Sequence, residues 1–84
     1  MTIPKKLRIG AHTFKIQIKD IEACGYTDRN KIIIAISDQL TQSQKESTLI
    51  HEIFHVLNNE LDHALLDSLS EQLYQVIKEN KFTL

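Results

Sequence analysis

The sequence predicts a small α+β domain: a three-stranded antiparallel sheet packed on one helix, followed by a second helix antiparallel to the first. Three observations carry that expectation. Apolar residues alternate with polar ones up to residue 36, then recur at three- and four-residue intervals from residue 49 onward. No repeat, linker or low-complexity stretch interrupts the 84 residues, so residues 1–84 read as a single domain.

The elements follow in order. Leu7 and Ile9 alternate with Lys6 and Arg8, Gly10-Ala11 marks a turn, and Phe14, Ile16 and Ile18 alternate with Lys15, Gln17 and Lys19. That pattern is a hairpin with one buried face. Residues 20 to 30 contain Cys24-Gly25-Tyr26 and Asp28-Arg29-Asn30 and read as a turn-prone connection, after which Lys31 to Ser37 form a third strand. The first helix starts at a capping box, either Thr41 with Gln44 or Ser43 with Glu46, and stops at Asn58 or Asn59. Its apolar stripe is Leu49, Ile50, Ile53, Val56 and Leu57, which the sheet would cover. A second helix runs from about Asp62 to Asn80, with Leu65, Leu66, Leu69, Leu73, Val76 and Ile77 as its stripe.

Composition narrows the function classes. Hydrophobic residues at 42% and charged residues at 25% describe an ordinary globular chain with a limited core. A formal charge of -1, without a basic run or interleaved aromatics, argues against a nucleic-acid partner. The longest apolar run, Ile32 to Ile36, is far too short to span a bilayer, and the amino terminus has no apolar segment of signal-peptide length. Cys24 is the single cysteine, which excludes an internal disulfide and fits a reducing compartment, so the expected location is cytoplasmic.

Chemistry concentrates in His51-Glu52-Ile53-Phe54-His55. Residues four apart share one helix face, so His51 and His55 can converge on one ion, on the side away from the apolar stripe. Zinc takes such nitrogens at about 2.0–2.1 Å, and a catalytic site leaves one position open for water. Glu52 projects beside the ion rather than onto it, as a general base must. A third ligand is needed. The Gly and His continuation of the metzincins is missing, since Asn58 and Leu61 stand in those places, and no cysteine follows. Glu60, His63, Asp67 and Glu71 remain. If the second helix folds back through a connection near residues 59 to 62, the position facing the histidines is close to residue 70. Glu71 is then favoured and Asp67 is the alternative, although Glu71 also matches a capping box with Ser68. Tyr74, Tyr26 and His63 are candidate donors to an oxyanion, with Tyr74 preferred for its place near Glu71.

The segment Thr48-Leu49-Ile50-His51-Glu52-Ile53-Phe54-His55, followed on the next helix by Leu69-Ser70-Glu71-Gln72-Leu73-Tyr74, resembles the gluzincin pattern. In size it is similar to the minigluzincins and to phage-type members of the ImmA/IrrE-like metallopeptidases. Gly25-Tyr26-x-Asp28 leading into Ile32-Ile33-Ile34 resembles the strand before the motif helix in such proteins. The resemblance implies zinc held by His51, His55 and Glu71, with Glu52 as base and a peptide or protein as substrate. By analogy with zincins, Ile32 to Ile36 would align an extended substrate. Larger relatives carry a further subdomain as the second cleft wall, a place that a partner chain would fill here. The expected function is hydrolysis of a peptide bond by metal-activated water. The alternative is a zinc-stabilised binding module without turnover, in which Glu52 would be dispensable.

Overall fold

The computed structural model describes residues 2–58, 60 and 62–80. Asn59 and Leu61, used above for the helix stop and for the metzincin comparison, lie outside the described residues. The chain folds as α+β, with strands β1 (Lys6–Ile9), β2 (His12–Lys19), β3 (Gly25–Asp28) and β4 (Ile33–Ser37) followed by helices α1 (Gln42–Leu57) and α2 (His63–Glu79).

The sheet corrects the expectation of three antiparallel strands. It has four, in the order β1-β2-β4-β3, and is mixed: β1 and β3 run antiparallel to their neighbours, whereas β2 and β4 are parallel, with Ile16 opposite Ile34 and Ile18 opposite Ile36. The cause lies in residues 20 to 30, read as a plain connection. They hold β3, an edge strand of four residues whose Gly-Tyr-Thr-Asp composition offers no apolar alternation to read. The chain crosses to that edge and then reverses into β4, which therefore enters the sheet parallel to β2. Asp28 drives the reversal by accepting from the backbone N–H groups of Asn30 and Lys31. Ile32, at φ 57°, lies in this turn, so β4 starts two residues later than the alternation suggests. Such a dihedral is costly for a β-branched residue.

One face of the sheet receives α1. Phe14, Ile16, Ile34, Ile36 and Leu49 form the buried cluster, with Leu7, Ile9, Leu40, Ile53 and Val56 packed around it. Each such side chain, fully buried, contributes about 1.5–3 kcal/mol. Ile18, expected on the buried face, is exposed at the end of β2. The start of α1 is the capping box of Thr41 and Gln44, and its end is Asn58. Arg29 supplements that end, its Nη2 donating to the carbonyls of His55 at 2.6 Å and Val56 at 3.2 Å, which have no partner inside the helix.

The second helix has its expected limits, capped by Asp62 and Asn80, but a different rotation. Leu66, Ser70 and Ile77 are its buried residues, while Leu65, Leu69, Leu73 and Val76 of the expected stripe are exposed. Among the described residues α2 packs against α1 and against no strand, antiparallel to it. Polar contacts fix this orientation. Glu46, fully buried on α1, accepts from the Tyr74 hydroxyl at 2.7 Å, and Lys78 Nζ lies 3.0 Å from that hydroxyl and 3.7 Å from Glu46 Oε1. Burial pushes the Glu46 carboxyl up, yet the hydrogen bonds from Tyr74 and Gln42, with the charge of Lys78 nearby, hold it below its ordinary value. Swinging the apolar stripe of α2 inward would strand that carboxylate, which costs more than leaving a few leucines wet.

Candidate metal centre

The site is built where α1, β3 and the first turns of α2 meet. Seating Leu49, Ile53 and Val56 against the sheet turns the 51/55 face of α1 toward α2. His51 Nε2 and His55 Nε2 stand 3.0 Å apart, close to the ~3.3 Å edge that a tetrahedral ion with about 2.0–2.1 Å bonds requires. His63, the first residue of α2, completes the group: His51, His55 and His63 each offer an atom within 4.8 Å of the others. The third nitrogen has only on the order of 1–1.5 Å to close, within reach of a rotation of an exposed side chain. The donor set fits a divalent metal of the kind that imidazole binds.

Behind the ligand face sits Asp67. Its Oδ1 lies 2.9 Å from His51 Nδ1, one helical turn beyond His63, so it fixes the tautomer that leaves Nε2 free for a metal. His55 is held neutral by its surroundings. Burial lowers its pKa below the ordinary 6.5; Glu52 opposes this, while His51, His63 and Arg29 add to the depression. Neutral imidazoles are the form that ligates.

Glu52 is the buried acid of the site, 5% exposed, with Oε2 at 4.0 Å from His51 Nε2. Its other oxygen accepts from Thr27 Oγ1 on β3 at 2.8 Å. That bond leaves one carboxylate oxygen facing the histidines. Gly25 on the same strand makes this approach possible, because a Cβ there would meet Thr48 Cγ2 at 2.7 Å and the Ala35 carbonyl at 2.9 Å. Two hollows open on the pair His51 and Glu52. One, of about 550 Å³, lies between α1 and α2; the other, of about 340 Å³, is bounded by β3, Arg29, His55 and His63.

Sequence reasoning placed His51, Glu52 and His55 in one site, and the structure brings them together. Glu71 lies on the wall of the larger hollow and is not in the converging group. The phase estimate put residue 70 opposite the histidines, but the contacts pair His63 with His55 and Asp67 with His51. The first two turns of α2 therefore overlie the histidines, one to two turns earlier than Glu71. Tyr74 also lines the larger hollow, and its hydroxyl proton goes to Glu46. The strand proposed for substrate alignment, Ile32 to Ile36, corresponds to β4, which is flanked on both sides by β2 and β3; the free edge beside the site belongs to β3. Thr27 and Arg29 gave no signal in the sequence. The pair His63 and Asp67 did, since its four-residue spacing repeats that of His51 and His55.

The chain belongs to the peptidase M78 family: residues 5–81 match the family model described as the IrrE N-terminal-like domain. No curated protein and no solved structure matches the chain. Membership makes this a metallopeptidase-type domain, and His51, His55 and His63 are the residues that could hold its metal. No helix among the described residues is long and apolar enough to cross a membrane.

Proposed function

We propose that the protein is a zinc-dependent peptidase in which His51, His55 and His63 hold the ion and Glu52 is the general base. The observation that carries this reading is Glu52 itself, buried beside the converging nitrogens and held by Thr27. A purely structural site would fill the fourth position with protein and would not need a buried carboxylate aimed next to it. The proposed ligand set replaces the glutamate implied by the gluzincin resemblance with an imidazole. Three neutral ligands leave zinc with its full charge, and the bound ion supplies Lewis acidity that activates water and polarises a carbonyl.

The chain's own residues do the rest. Glu52 takes the proton of the attacking water and passes it to the departing amine, with Thr27 keeping its carboxylate in place through both transfers. Asp67 holds the His51 ring in the ligating tautomer. The free edge of β3 offers main-chain groups to an extended substrate, which would lie along the strand past Thr27.

The test pairs two variants of the zinc-loaded protein, scored for metal content and for cleavage of a peptide library. Glu52→Gln should keep one equivalent of metal and lose cleavage by about 10²–10⁴-fold. His63→Ala should lose the metal. Unchanged turnover in Glu52→Gln would refute the enzyme, while metal retained in His63→Ala would reassign the third ligand.

A further inference from the structure

The larger hollow shares His51 and Glu52 with the site, so a peptide in place there would put the side chain of a residue flanking the scissile bond into it. At about 550 Å³ it falls within the range of ligand pockets, about 300–1,000 Å³. Its lining is lopsided in charge. Glu52, Asp67 and Glu71 contribute carboxylates, and neither lysine nor arginine lines it. Two of the three carboxylates are engaged, Glu52 by Thr27 and Asp67 by His51. Glu71 is exposed on the wall with no polar partner among the described residues. Next to it in sequence, Ser70 is 1% exposed, lines the same hollow, and has a buried hydroxyl without a hydrogen-bond partner. An unmade bond of that kind costs about 1–3 kcal/mol, and alanine would fill the position without the cost.

Resting on the peptidase reading, we propose that this hollow is a specificity pocket for a cationic side chain, lysine or arginine, with Glu71 supplying the counter-charge and Ser70 a hydrogen-bond acceptor. A cation is what the unpartnered Glu71 carboxylate attracts, and the orphan Ser70 hydroxyl, able to donate or to accept, can accept from the N–H groups of such a side chain. An acidic substrate side chain would meet the Glu71 carboxylate on a wall that carries no lysine or arginine to offset it.

The experiment uses the zinc-loaded full chain and a library of short peptides, with cleaved bonds identified by mass spectrometry. Lysine and arginine should be enriched at one position beside the cleaved bond by about tenfold over glutamate, with glutamine between them. Glu71→Gln should bring lysine and glutamate close to parity, and Ser70→Ala should reduce the preference without lowering the melting temperature. Metal content is measured in parallel, and loss of metal in Glu71→Gln would make that residue a ligand and overturn the pocket. A second arm does not require turnover: Glu52→Gln protein is titrated with two labelled peptides differing only by lysine against glutamate, and fluorescence anisotropy is read. Selective binding of the lysine peptide, abolished by adding Glu71→Gln, supports the pocket even if the wild type cleaves nothing, an outcome that would count against the peptidase reading alone. Cleavage without charge preference, a preference indifferent to Glu71→Gln, or equal or absent binding of the two peptides overturns it.

Discussion

The two helices are nearly the same length, 16 and 17 residues, and both begin and end where their capping residues say they should. They differ in what holds them. The first lies on a sheet, so its apolar stripe finds an apolar surface and its rotation follows from the hydrophobic period. Among the described residues the second packs only on α1, and its rotation is set by Asp67 on His51 and by Tyr74 and Lys78 at Glu46, with Leu65, Leu69, Leu73 and Val76 left exposed. Helix period predicts orientation only when the neighbouring surface is apolar; beside a buried carboxylate, the side chains able to satisfy it decide.

Matched leucines give the sharpest way to break that contrast. Leu49→Ala, at a fully buried position of α1, should cost about 2–5 kcal/mol, whereas Leu69→Ala on the exposed face of α2 should change stability by less than about 0.5 kcal/mol. Chemical denaturation of the two variants reads both, and comparable losses would mean that the α2 stripe is covered in solution. Next in size is Asp67→Ala, which should weaken metal binding about 10–100-fold in competition with a chelating dye, without changing the one-to-one stoichiometry. Complete loss of metal there, with retention in His63→Ala, would put the carboxylate among the ligands. Tyr74→Phe removes the donor from Glu46 and should cost about 1–3 kcal/mol by the same denaturation measurement. A neutral result would show that polar contacts do not set the rotation of α2.

The smallest effect is on pH. In metal-free protein the folded pKa of His55 lies below 6.5, so the unfolded chain binds the proton more readily as pH falls past that value. Its contribution to stability is therefore present above about pH 6.5 and is lost as pH falls through the folded pKa. A melting series between pH 8 and pH 5 should decline in wild type and flatten in His55→Gln; parallel curves would place the proton elsewhere.

Much of this was legible in the chain. Periodicity and caps locate α1 to within two residues, because the capping boxes at Thr41 or Ser43 and the stripe from Leu49 to Leu57 bracket the same segment, and the positions of His51, Glu52 and His55 follow from it. The sheet was legible only where apolar residues alternate. Tyr26 and Thr27 lie on an edge strand that buries little, so β3 and with it the parallel pairing of β2 and β4 stayed hidden. The place of His63 beside the motif was hidden for another reason. Which residues of α2 overlie the motif depends on how the two helices are matched along their lengths, and the contacts place His63 beside His55 and Asp67 beside His51, eight and four residues before Glu71.

Three successive ties run along β3 and the turn after it: the close fit of Gly25 on Thr48, the bond from Thr27 to Glu52, and Arg29 on the last carbonyls of α1. Spaced two residues apart, they splint the motif helix from Thr48 to Val56, the stretch that carries the histidines. An arriving ion thus meets a socket already shaped, with the ordering entropy met during folding rather than at the moment of capture. Stripping the metal should leave the backbone amides of this stretch as slow to exchange as before, and the site should refill without a folding step.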